Sequence, residues 1–305
     1  MPQNVAPERI RKCGTPEAHQ RLLQDPTYQR RRMAIERHLS RFLLFDLAGR
    51  AGVVEIPVVV HVLYSDSAGN ISDDQVNSQI AALNRDYRKR NPDAAQVPPV
   101  WNSLVVDTRI QFALATSDPT GNPTNGIVRV PTETQSFGTD DTVKSAASGG
   151  ADPWPSDKYL NIWVCNLGGG LLGYAHFPGA PPEVDGVVIL NTAFGTIGTA
   201  TAPFNLGRTT THEVGHWLNL IHIWGDRLDC KGTDDVDDTP AALAPNYGKP
   251  AFPHVSCNNG PDGDMFMNYM DYVDDEVMVM FTTGQAARMA AALDGPRVGI
   301  GKTVA

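Results

Sequence analysis

The sequence predicts an α+β chain: strands and helices over the first two thirds, a histidine-bearing helix, then a loop-rich acidic lobe closed by one last helix. Three observations carry this. Runs rich in β-branched residues, such as GVVEIPVVVHVLY (52–64), read as buried strands. Between them, apolar residues recur at helical spacing. From 225 to 265 the chain is acidic and has neither period. With 305 residues, 41% of them hydrophobic, it can bury a sizeable core. No apolar run is long enough to span a bilayer, so membrane insertion is not expected. A net charge of −9 argues against nucleic acid as a partner.

The elements follow in order. Residues 16–45 read as an arginine-rich helix. Residues 1–50 carry ten Arg/Lys against five Asp/Glu, or +5, and the remainder fifteen against twenty-nine, or −14. A basic lead beside an acidic body suggests mutual docking, and on charge alone a solvated basic helix is an equal alternative. The first residues lack the apolar core of a secretory signal, so either the chain is not exported or such a signal was removed. After the strand at 52–64, a helix is expected at 72–90. Ser72 and Gln75 have capping-box spacing, and Val76, Ile80, Leu83 and Tyr87 share a face. Strands are expected at 109–115, 159–165, 171–177 and 186–191. The glycine-rich NLGGGLLG (166–173) should turn into an exposed strand. A helix at 282–293, capped by Thr282 or Thr283, closes the chain.

HEVGHWLNLIH (212–222) carries the chemistry. His212 and His216, four apart on a helix, put two imidazoles on one face where they can share a metal. Glu213 can reach a water on that metal without being a ligand. His222 is too far along to share the face, so the chain must turn. Asn219 can take the left-handed conformation that ends a helix, which swings His222 back. Incidental histidines on a core helix are the bland alternative, and these offsets together disfavour it.

The motif resembles the long zinc signature of the metzincin metalloproteases, HExxHxxGxxH, with Asn219 at the glycine. NYMDYVDD (268–275) resembles their methionine turn. With GLLGYAHFPG and DMFMNYMDY, the likeness is to the pappalysin family, over about residues 53–293. It implies a two-lobed metzincin fold: a twisted, mostly parallel five-stranded sheet with two main helices above a cleft, and an irregular lower lobe ending in a helix. It implies zinc held by His212, His216 and His222, with Glu213 as general base. Tyr272 would donate to the developing oxyanion, and Met270 would form a floor beneath the ligands. The edge strand at 171–177 would pair with a polypeptide substrate.

The resemblance implies further assignments. Cys230 and Cys257 would form a disulfide, which places the chain in an oxidising, extracellular compartment. GTDDVDDTP (232–240) clusters oxygen donors suited to calcium, with Asp234 and Thr239 the best-matched positions. Cys13, in RKCGTPE, resembles a cysteine switch, whose sulfur fills the open position of a catalytic zinc. A Cys13–Cys165 disulfide would remove that argument. Cys165 otherwise reads as a buried inert thiol. Asp275 matches an acidic pocket position that selects Arg or Lys after the cut. The same rule implies autolysis at Gly49–Arg50. The expected divisions are a latency prosegment at 1–49, an upper catalytic subdomain at 50–222 and a lower subdomain at 223–305. The expected function is that of a secreted zinc endopeptidase made as a latent precursor. The alternatives are a silent zinc-bearing binding or adhesion module and a peptidase of broad specificity.

Overall fold

The computed structural model describes residues 9–45 and 52–304. Its centre is β1 (Val53–Tyr64), which pairs in parallel with β2 (Ile110–Leu114), β3 (Ile127–Pro131) and β4 (Leu160–Cys165). β6 (Val187–Leu190) continues the sheet in parallel beside β4, and β5 (Gly173–Ala175) closes it as an antiparallel edge. β2 and β3 occupy successive halves of one side of β1, so the order β2/β3–β1–β4–β6–β5 has the five lanes of the expected fold. Two strands of this sheet were not anticipated. β3 is short and only half-buried, and β9 (Lys302–Val304) adds antiparallel to the start of β1.

The sheet is buried on both faces, which is why its strands read as continuous apolar runs. Ile162 and Val164 face one core with Val187 and Ile189; Trp163 and Cys165 face a second with Val188 and Leu190. On the first face lie the two main helices, α3 (Asp73–Tyr87) and α4 (Arg208–Trp217). Val76, Ile80, Leu83 and Tyr87 are buried as their spacing requires. Ser72 caps α3 by accepting from the Gln75 amide at 3.1 Å. Gln75 does not complete the box. Its side chain donates instead to the Asn191 and Phe194 carbonyls and to Thr199, tying α3 to the loop after β6. Tyr87 and Asp86 bind Thr211, which sets α4 against α3.

The leading segment is two helices rather than one. α1 (Thr15–Leu22) stops before Asp25, whose carboxylate accepts from the Thr27 amide, and α2 (Pro26–Phe45) begins on a proline. α2 packs on α5 (Thr283–Asp294), which Thr282 and Gln285 open with a complete capping box. Between α4 and α5 the chain is irregular apart from the short parallel pair β7 (Tyr247–Gly248) and β8 (Tyr272–Val273).

Candidate metal centre

α4 starts at Gly207, whose φ of 80° only glycine adopts freely. Its first amides have no side-chain cap of their own. The Asp275 carboxylate stands in for a cap, accepting from Arg208 N at 3.3 Å and from Leu206 N, just before the helix, at 2.7 Å. α4 ends at Trp217 with Leu218 as its cap, and Asn219 follows at φ 76°. That left-handed turn returns His222 to the helix, as its sequence position requires.

His212, His216 and His222 are fully buried, and their Nε2 atoms lie 3.0–3.1 Å from one another. The Nδ1 atoms decide what this means. They face the Tyr269 carbonyl at 2.7 Å, the Leu220 carbonyl at 2.7 Å and the Asp226 carboxylate at 2.5 Å. Two of these oxygens can only accept and the third belongs to a carboxylate, so the Nδ1 atoms carry the hydrogens. Three Nε2 lone pairs therefore converge with no proton among them, an arrangement that needs a cation. Tetrahedral zinc at about 2.0–2.1 Å from each nitrogen separates its ligands by about 3.3 Å, close to what is found. The donor set thus fits zinc. Burial and the neighbouring imidazoles push His212 and His216 well below their ordinary range, which keeps them neutral. Asp226, which orients His222, was not singled out from the sequence. Its position four residues beyond the last ligand was the available signal.

Met270 is buried under this group. A Cβ on Gly215 would come within 2.5 Å of the Met270 sulfur, so the glycine inside the motif makes room for the methionine floor. Trp224 stacks on His222 at 4.4 Å, and Tyr272 packs edge-on against the same ring at 4.9 Å. Burial, then the neighbouring Cys13, pushes the Tyr272 phenol well above its ordinary range, so it stays a donor.

Cys13 and Cys165 are both free, so no disulfide joins them. The Cys13 sulfur lies 3.6 Å from His216 Nε2 and 3.4 Å from Glu213 Oε2. It and the three imidazole nitrogens fall within 4.8 Å of one another. Glu213 also accepts from Thr15 Oγ1 at 2.9 Å. Burial pushes Glu213 up to about 7, against the hydrogen bonds from Thr15 and Cys13. A three-nitrogen, one-sulfur set is the closed arrangement of a structural zinc site, with no position left for water or substrate.

The edge strand expected to be exposed is buried. Leu172 N donates to Lys12 O at 2.9 Å and Gly14 N donates to Gly173 O at 2.8 Å, so the leading segment lies along it in parallel. The same segment fills the Asp275 site. Arg11 donates to Asp275 Oδ1 at 2.6 Å, to Val273 O at 3.1 Å and to Thr209 Oγ1 at 3.0 Å, with its guanidinium over the Phe204 ring. Arg11 was not singled out from the sequence, although an arginine two residues before the switch cysteine matched the basic preference assigned to Asp275.

Asn219 does more than turn the chain. Its side chain accepts from Arg32 at 2.6 Å and donates to Glu36 at 3.1 Å, both on α2. Glu36 also pairs with Arg288 of α5. In the acidic lobe, Cys230 and Cys257 are bonded, with Cα atoms 5.8 Å apart. Thr239 donates its hydroxyl to the buried Asp234 carboxylate. Burial pushes Asp234 up to about 7, and among the described residues no basic side chain pairs with it. Gly49 and Arg50 lie outside the described residues.

Residues 143–294 match the Peptidase_M43 family, described as pregnancy-associated plasma protein-A. The chain is 33% identical to an extracellular metalloprotease of Pyricularia oryzae over 94% of its own length and 90% of that protein's. It is 34% identical to another from Arthroderma benhamiae over 81% and 80%. Among solved structures, a Tannerella forsythia promirolysin mutant superposes with a TM-score of 0.88 at 45% identity, covering 95% of this chain and 96% of that one. Mature mirolysin with a cleaved peptide gives 0.80 at 49% identity, covering 82% of this chain and 96% of that one. With these relatives and a buried three-imidazole centre, the chain belongs to the pappalysin family of zinc metalloendopeptidases and has their metzincin fold.

Proposed function

We propose that the mature enzyme cleaves polypeptides on the amino side of arginine or lysine, and that residues 1–49 are a prosegment holding it latent. The observation that carries this is the Arg11–Asp275 pair, in which the chain offers its own arginine to a buried carboxylate beside the metal ligands. Asp275 stays in place without Arg11, because its Oδ2 is held by the Leu206 and Arg208 amides while Oδ1 faces the basic group. A buried carboxylate with one free oxygen favours a charged donor over any neutral side chain.

Zinc, when bound by His212, His216 and His222, supplies Lewis-acid polarisation of the scissile carbonyl and acidifies water. Glu213 takes the proton of the attacking water and passes it to the leaving amine. The Tyr272 phenol donates to the oxygen on which charge develops. In the latent chain the Cys13 sulfur would take the remaining ligand position of a bound metal, and Thr15 and Cys13 engage the Glu213 carboxylate, so base and metal would be blocked together. Release follows cleavage at Gly49–Arg50, which leaves an upper subdomain from residue 50 to 222 and a lower one from 223 to 305. Calcium at Asp234 and Thr239 is part of this reading, supported by a buried carboxylate that burial pushes up to about 7 despite the nearby Arg288 charge. The relatives' extracellular names and the disulfide support secretion.

Peptide-library profiling of the mature enzyme, with and without Asp275→Ala, tests the specificity. Enrichment of Arg and Lys immediately after the cut, lost in the variant, is expected. Cleavage sites with no such enrichment in the parent enzyme refute the assignment. N-terminal sequencing of the mature form should begin at Arg50.

A further inference from the structure

A second arginine of the leading segment sits in a second acidic socket. One terminal nitrogen of Arg21, on α1, donates to the Thr139 carbonyl, and the other donates to the Asp141 carboxylate. The body of the enzyme fixes that carboxylate independently of Arg21. Its Oδ1 accepts from Lys144 Nζ at 2.9 Å, His176 Nε2 at 2.9 Å and the Tyr174 hydroxyl at 3.2 Å. Burial opposes its ionisation, but Lys144 and His176 hold it well below the usual carboxylate range. With Arg21 gone, the Thr139 carbonyl loses its partner and Asp141 Oδ2 keeps only His176 Nε2 at 3.0 Å, so both oxygens can still accept. Their arrangement is one that the two terminal nitrogens of a guanidinium span.

The path of the leading segment says which side of the cut this socket serves. Residues 12 to 15 run along β5 from Leu172 to Ala175. Arg11 precedes that run and reaches Asp275; α1 follows it. Asp141, held by Tyr174 and His176, therefore lies toward the opposite end of β5 from Asp275. If Asp275 takes the residue after the scissile bond, a side chain in the Asp141 socket comes from before it.

We infer that Asp141 and the Thr139 carbonyl form a subsite for an arginine upstream of the scissile bond, so that the mature enzyme reads basic side chains on both sides of its cut. This rests on the specificity proposed for Asp275. Because Lys144 already neutralises Asp141, the gain comes from paired hydrogen bonds rather than net charge. The subsite therefore prefers arginine to lysine.

The test uses mature enzyme and peptides with lysine fixed at one position and arginine, lysine, citrulline or glutamine at each of three positions before it. Every cut is mapped by mass spectrometry. At one upstream position arginine should raise kcat/KM about tenfold over citrulline, mostly through KM, with lysine in between. In Asp141→Asn the arginine-to-citrulline ratio should fall toward one. That variant removes the partner of a buried lysine and can destabilise the fold, so the peptide series on the parent enzyme stands as an independent arm. Equal rates for arginine and citrulline at all three positions overturn the subsite. Cuts that ignore the fixed lysine yet still track the upstream arginine uphold the subsite and overturn the Asp275 reading instead.

Discussion

At the residue scale, the centre depends on single side chains whose effects separate. Glu213→Ala should retain metal, because the three imidazoles and their partners on Nδ1 are untouched, while peptide hydrolysis falls by about a thousandfold or more. Metal content measured beside turnover checks this, and near-normal turnover in the metal-loaded variant would remove Glu213 as the base. Asn219→Gly divides two roles of one residue. Glycine keeps the left-handed turn, so metal content and mature activity should hold. The contacts to Arg32 and Glu36 are lost, so the precursor should mature faster. Unchanged maturation kinetics would show that the clasp contributes nothing to latency. The turn was legible in the sequence because the backbone requirement is local. The clasp was not, since its partners lie more than 180 positions away.

At the element scale, α4 and the methionine turn are one packing unit. Gly215→Ala places a methyl against the sulfur of the fully buried Met270, and overpacking of this kind costs about 1–3 kcal/mol. A fall in thermal stability with weakened metal binding is expected; parent-like values of both would show that the floor gives way freely. The strand β5 is covered by the leading segment, the place that the proposed function gives to substrate in the mature enzyme. Cys13→Ala and Arg11→Ala should each produce a precursor that matures faster, the first by opening the metal's fourth position and the second by freeing Asp275. Following the precursor band over time measures both, and a Cys13→Ala precursor as latent as the parent would place the block elsewhere. The burial of β5 escaped sequence reading for a physical reason. The pattern Gly-Tyr-Ala marks a strand, but whether its outer edge is covered depends on a segment some 160 residues upstream.

At the scale of the whole molecule, the acidic lobe lacks regular structure and relies on cross-links. The Cys230–Cys257 bridge, 27 residues apart in sequence, contributes about 3.5 kcal/mol in the chain-entropy model. If calcium also binds at Asp234, a calcium-selective chelator should lower the thermal midpoint while leaving zinc content unchanged. An unmoved midpoint argues against that site. By itself the sequence determined most strand and helix segments, though not the break at Asp25 in the leading segment, and the three-histidine cluster with its turn. These follow from local periodicity and from spacing within eleven residues. It also placed Glu213 and Met270 by motif, and Cys13 by its resemblance to a switch. Tertiary structure alone decided that Arg11 meets Asp275, that Asn219 clasps α2 and that Arg21 fills the Asp141 socket. It also added β3 and β9 to the sheet. Each of these joins groups tens to hundreds of residues apart, and no local period records which remote partner completes a buried charge or an open strand edge.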